Sequence, residues 1–196
     1  MMRARTPLIL AALLAPAIAG AQSSASQDLG VNGNVPGSCA IGAPRLAAGA
    51  QVNFRGLNGT TLQIDQMVDP TTLSTNAASA EVRFEAVCGF PHRLRVETQN
   101  NGLWQVHERG NAPPEGFGYA VPYRASVRWA DENLRLNADA QIRRIADSQI
   151  YIANNAIGDL LLRLEIDPGA TNERANAPLL AGTYGDTLRI TLEPQQ

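Results

Sequence analysis

Lysine is absent from this 196-residue chain: all 16 basic residues are arginine, set against 18 acidic ones. The formal net charge of −2 is too slight to attract a polyanion, so no nucleic acid or anionic lipid is expected as a partner. Histidine and cysteine are almost as scarce, with two of each, at positions 92, 107, 39 and 88. A CxxC redox pair needs its thiols two residues apart. A structural zinc site needs about four ligands, and only His92 and His107 remain to join the cysteines. Neither histidine sits in a spacing that suggests a metal or a nucleophile, and both read as surface residues. G-x-S-x-G, phosphate-loop and dinucleotide fingerprints are all missing. The acids are scattered along alternating segments, so no glycosidase-like carboxylate pair stands out. No catalytic residue, metal or cofactor is expected.

Long apolar runs are also missing, with one exception at the N-terminus. Met1-Met2-Arg3-Ala4-Arg5 carries two positive charges, an apolar stretch follows from Pro7 to Ile18, and Ala19-Gly20-Ala21-Gln22 gives a small-x-small cleavage pattern. That order is a secretory signal peptide over residues 1–21. The apolar run falls short of the roughly 20 residues a permanent membrane anchor needs, so no anchor is expected. Removal of the leader leaves 175 residues, enough for one domain with a real core, and takes two arginines with it. Fourteen arginines against eighteen acids then give −4. In an exported chain the even pair Cys39 and Cys88 reads as a disulfide. Closing a loop of about 50 residues stabilises by roughly 4 kcal/mol on the chain-entropy argument.

Helical periodicity is nearly absent, and two-residue alternation takes its place. Ala80 to Cys88 alternates apolar even positions with mostly charged odd ones, which buries one face and carries Cys88 inward. His92 to Glu97 repeats the pattern after a short Gly89-Phe90-Pro91 link, and the two segments are expected to pair antiparallel. Tyr123 to Trp129, Leu160 to Ile166 and Thr187 to Leu192 alternate in the same way. The stretch from Gln99 to Gly118 reads as a long surface connection. Asp131 to Asn155 fits either strands or a short helix over Asn137 to Asp147. Short strands between Gly, Pro and Asn turns indicate an all-β sandwich or barrel. Trp104 and Trp129, with Tyr119 and Tyr123, read as core aromatics and loop anchors, or alternatively as a sugar-binding face. Asn58-Gly59-Thr60 matches a glycosylation sequon and is read as a chance match.

The two ends of the domain carry a more specific pattern. Near the start lies Val35-Pro36-Gly37-Ser38-Cys39-Ala40-Ile41, a V-x-x-x-C-x-I arrangement; a second cysteine closes a strand and is followed by glycine, Cys88-Gly89. The chain ends on Leu179-Leu180-Ala181-Gly182-Thr183-Tyr184-Gly185-Asp186-Thr187-Leu188-Arg189-Ile190-Thr191-Leu192. Together these resemble the spore coat protein U domain family, which includes subunits of the archaic (Csu-type) chaperone-usher pili of Gram-negative bacteria. The resemblance covers nearly all of the exported chain, and the closing motif is its most specific part.

The resemblance implies an immunoglobulin-like β-sandwich that lacks its last strand and leaves a hydrophobic groove beside an open sheet edge. It implies as partners a periplasmic chaperone, an outer-membrane usher and neighbouring pilus subunits, whose N-terminal extension fills the groove by strand addition. On this chain the extension is Gln22 to Asn34 and the pilin domain covers residues 35–196. About a dozen residues at roughly 3.3 Å each reach about 40 Å, the length of a sandwich. Leu29, Val31 and Val35 are the candidate plugging residues of the donor, and Leu188, Ile190 and Leu192 the candidate groove strand. The donor is poor in large apolar residues and contains Gly30 and Gly33, whereas the family's donor strands look more hydrophobic. Two other readings remain, a secreted monomer that binds carbohydrate and an envelope protein that does not polymerise.

Overall fold

The structure is a computed structural model and describes residues 26, 27, 29–106 and 114–195. The leader, Gln22 to Ala25, Asp28 and His107 lie outside the described residues. The chain divides into two units, Met1–Val35 and Pro36–Gln196. In the first, the described residues have no regular structure.

The second unit is all-β. In chain order its strands are β1 (Cys39–Ile41), β2 (Arg45–Val52), β3 (Phe54–Asn58), β4 (Thr61–Ile64), β5 (Ala78–Cys88), β6 (His92–Thr98) and β7 (Leu103–Gln105). There follow β8 (Ala120–Val121), β9 (Tyr123–Trp129), β10 (Glu132–Ala138), β11 (Ala146–Ile152), β12 (Ala156–Ile166), β13 (Tyr184–Gly185) and β14 (Leu188–Pro194). The larger sheet runs β1-β5-β12-β9-β10, and β2 takes over from β1 along the same edge of β5. That edge is shared in two stretches because Pro44, which has no N–H to give to a ladder, separates β1 from β2. The facing sheet has only three strands, β11-β6-β14. Every pairing between these strands is antiparallel.

One apolar core lies between the two sheets. The larger sheet contributes Val82, Val127, Trp129, Leu160 and Leu162, and the smaller one Leu94, Val96, Ile152 and Leu192. These are the even or odd members of the alternating segments, so the period of two in the sequence becomes one dry face per strand. On one side β10 and β11 run alongside each other and close the sandwich. On the other side β1 approaches β14. The Cys39–Cys88 disulfide joins β1 to β5, whose half-cystines face each other in register with their Cα atoms 4.2 Å apart.

Several expectations are corrected. The segments that became β5 and β6 do not pair with each other: β5 pairs with β1, β2 and β12, and β6 with β11 and β14. The Gly89-Phe90-Pro91 link carries the chain from one sheet to the other instead of turning a hairpin. Alternation looks the same in both cases, because it reports which side of a strand is dry and not which strand lies beside it. Asp131 to Asn155 is resolved in favour of strands, β10 and β11. Part of the Gln99 to Gly118 connection is interior: β7 lies within it, and Asn101, Trp104 and Gln105 are buried.

His92 is not a surface residue, being 0% exposed. Its Nδ1 lies 2.9 Å from the Phe90 carbonyl oxygen and its Nε2 2.7 Å from the Trp129 Nε1–H. The carbonyl can only accept and the indole can only donate, so the ring carries its proton on Nδ1. Burial is tolerated because both nitrogens are satisfied.

Candidate functional site

The last strand has a free side. Gln99 N–H donates to the Thr187 carbonyl at 3.0 Å, and Gln195 N–H donates to the Pro91 carbonyl at 3.1 Å. Antiparallel ladders bond at every second residue, so the odd positions of β14 are turned toward β6. The N–H and C=O groups of Leu188, Ile190 and Leu192 therefore point to the opposite edge. Among the described residues no strand pairs there.

An open cleft of about 490 Å³ runs beside this edge. Leu188 and Ile190 of β14 form one wall; Val82 and Phe84 of β5 and Leu162 and Leu164 of β12 form the other. Ile41 and Pro44, at the break between β1 and β2, and the β3–β4 hairpin, through the cross-strand pair Leu57 and Leu62, complete the lining. Phe84, Leu164, Leu188 and Ile190 belong to the inward faces of their strands, yet each is only half-buried. Their neighbours Val82, Leu162 and Leu192 are buried. The four half-buried residues line the open cleft and keep part of their surface accessible. An apolar trough bordered by unpaired backbone presents hydrophobic contact and hydrogen-bonding groups at once, which is what an extended peptide needs.

One end of the cleft is polar. Asp186 lies two residues before β14 and lines the cleft with Tyr123 of β9. Its Oδ1 accepts from the backbone N–H groups of Asn100 at 2.9 Å and Thr187 at 2.7 Å. Its Oδ2 accepts from the Tyr123 hydroxyl at 2.9 Å, from Gly102 N–H at 3.3 Å and from the Thr98 hydroxyl. Burial, and then the negative charge of Asp186, push the Tyr123 phenol well above its ordinary value. The pair thus stays a neutral donor on a carboxylate.

The candidate groove residues separate by depth: Leu188 and Ile190 line the cleft, and Leu192 is buried in the core. The candidate donor residues Leu29, Val31 and Val35 are 88%, 87% and 91% exposed. Of the four candidate aromatics, Trp104, Tyr123 and Trp129 are buried and Tyr119 is half-buried. Trp129 is buried in the main core, and Trp104 packs edge-on against Tyr119 in a small second core with Ala120 and Ala140. Sequence reasoning did not single out Phe84, the β3–β4 hairpin or the Tyr123–Asp186 pair. A carboxylate directly before an alternating strand was the available signal for Asp186.

No protein-family model matches the chain, and no curated protein matches it.

Proposed function

We propose that the protein is a structural subunit of a surface fimbria. It is exported through the inner membrane, held in the periplasm by a chaperone, delivered to an outer-membrane usher and polymerised by donor-strand exchange. The observation that carries this reading is the apolar cleft beside the unpaired edge of β14. Such an edge invites aggregation and is a liability unless a strand is meant to occupy it. The occupant is the segment Gln22 to Asn34 of a neighbouring copy, whose Leu29 and Val31 are exposed and spaced to enter the cleft from one side of a strand. Because donor and acceptor are different surfaces of one chain, the contact repeats without closing and builds a fibre. The pilin domain on this reading is an immunoglobulin-like sandwich that lacks its final strand.

Deleting Gln22 to Asn34 tests this. The shortened subunit is expected to fold, bind the chaperone and fail to add to a fibre in electron micrographs. Fibres built from the deleted subunit would rule the reading out. The carbohydrate alternative loses its support with the burial of Trp104 and Trp129.

A further inference from the structure

Both walls of the cleft are apolar, and water drives such walls together. A trough of about 490 Å³ between two sheets therefore needs something to keep it from narrowing.

Two side-chain hydrogen bonds run from β9 toward the facing sheet. Tyr123 is the first residue of that strand and Trp129 the last, and both side chains are buried. Trp129 donates to His92 at the start of β6. Tyr123 donates to Asp186, which is tied to Thr98 at the other end of β6 and to the first amide before β14. The same two sheets are therefore linked at both ends. Only the Tyr123–Asp186 contact lines the cleft.

We propose that this contact is a strut: it holds β14 apart from the larger sheet and keeps the cleft open, which makes Tyr123 a positioning residue for the incoming strand. The proposal rests on the strand-acceptor reading above. Asp186 is a rigid abutment because three backbone amides and the Thr98 hydroxyl fix its carboxylate. These donors belong to the β6–β14 side, where Thr98 pairs with Leu188. That wall can approach β9 only by displacing the phenol hydroxyl that the carboxylate accepts from, which leaves a part-buried carboxylate one donor short. The phenol ring supplies a fixed length between β9 and that abutment. A preformed cleft spares the incoming strand the cost of reopening it.

The test uses the purified protein and its Tyr123→Phe variant, with Tyr184→Phe as the comparison. Tyr184 also donates its hydroxyl, to the Leu180 carbonyl at 2.6 Å, but it does not line the cleft. Two probes are read. One is the apolar dye anilinonaphthalene sulfonate, whose emission reports exposed apolar surface. The other is a fluorescent peptide with the sequence of residues 22–35, whose insertion is followed by anisotropy. Tyr123→Phe is expected to lower dye emission about threefold and slow peptide insertion about tenfold, through lost preorganisation. Tyr184→Phe should leave both unchanged, although it also lacks one phenolic hydrogen bond. A purely structural role for Tyr123 predicts equal behaviour of the two variants, and that result would overturn the strut. Wild-type dye uptake and insertion in Tyr123→Phe would do the same and leave the acceptor reading standing. If the peptide enters no form of the protein while dye emission still falls only in Tyr123→Phe, the acceptor reading fails, and with it the positioning role of Tyr123, while the contact that holds the cleft open stands. Should Tyr123→Phe not fold, Asp186→Asn reads the same quantity: a drop in dye emission is expected, and unchanged emission overturns the strut.

Discussion

Two phenols respond to alkali through their surroundings. Burial and the Asp186 charge raise Tyr123, and burial pushes Tyr184 up to about 12. In the unfolded chain both ionise near 10.0, the value of a free phenol. A raised folded-state pKa means that the native protein keeps a proton the unfolded chain releases, so the stabilisation is complete below pH 10 and is lost above it. Urea midpoints should therefore hold level up to about pH 10 and fall beyond it, with the larger share of the decline carried by the more deeply buried Tyr123. Tyr123→Phe should flatten the decline. A decline as steep in the variant as in the parent would assign the alkaline loss elsewhere. Of the single residues, His92 shows best how a local pattern misleads. Its position at the head of an alternating strand was visible, but the Trp129 indole that satisfies it lies 37 residues away.

The longest strands form where alternation is sustained, and sequence alone locates five of the fourteen. β5, β6, β9, β12 and β14 all fall on segments that alternate, because a strand with one dry face has to alternate. What the pattern omits is the neighbour. β5 and β6 alternate alike and sit in different sheets, and a three-residue link containing Pro91 serves a crossing as well as a hairpin. The same limit explains why β14 reads as an ordinary terminal strand. Its open edge follows only from the absence, among the described residues, of a partner beyond Leu188 and Ile190. Ile190→Ser tests that edge. The side chain is half-buried, so the truncation should cost the isolated subunit only about 1–2 kcal/mol. It should nevertheless suppress fibre assembly, since Ile190 forms a wall of the cleft. Normal fibres from this variant would show that the incoming strand does not use this wall.

Across the whole molecule the disulfide and the cleft sit in one arrangement. Cys39–Cys88 pins β1 to β5, and β1 also lies near β14. The short strand β1 has three residues and one strand neighbour, so the bridge holds what hydrogen bonds alone hold weakly. Replacing both cysteines by alanine should cost about 4 kcal/mol, the loop-closure entropy of a 49-residue separation, read as a lower urea midpoint. A variant as stable as the parent would show that the bridge adds nothing to folding. Cys88 was recognisable as inward-facing from its place in the alternation. No single residue signalled the cleft; a groove was suggested only by the resemblance of the two termini to a pilin domain.

The sequence by itself determined that this is an all-β chain, where five of its fourteen strands run, which side of each of those is dry, and which two cysteines pair. Those properties are set within one segment or by the count of a scarce residue. Only the tertiary structure decided which strands share a sheet, that His92 and Trp104 are interior, and that Tyr123 reaches Asp186. The cleft belongs to this second group. It consists of inward side chains that no described strand covers, and whether a face is covered depends on partners distant in the chain.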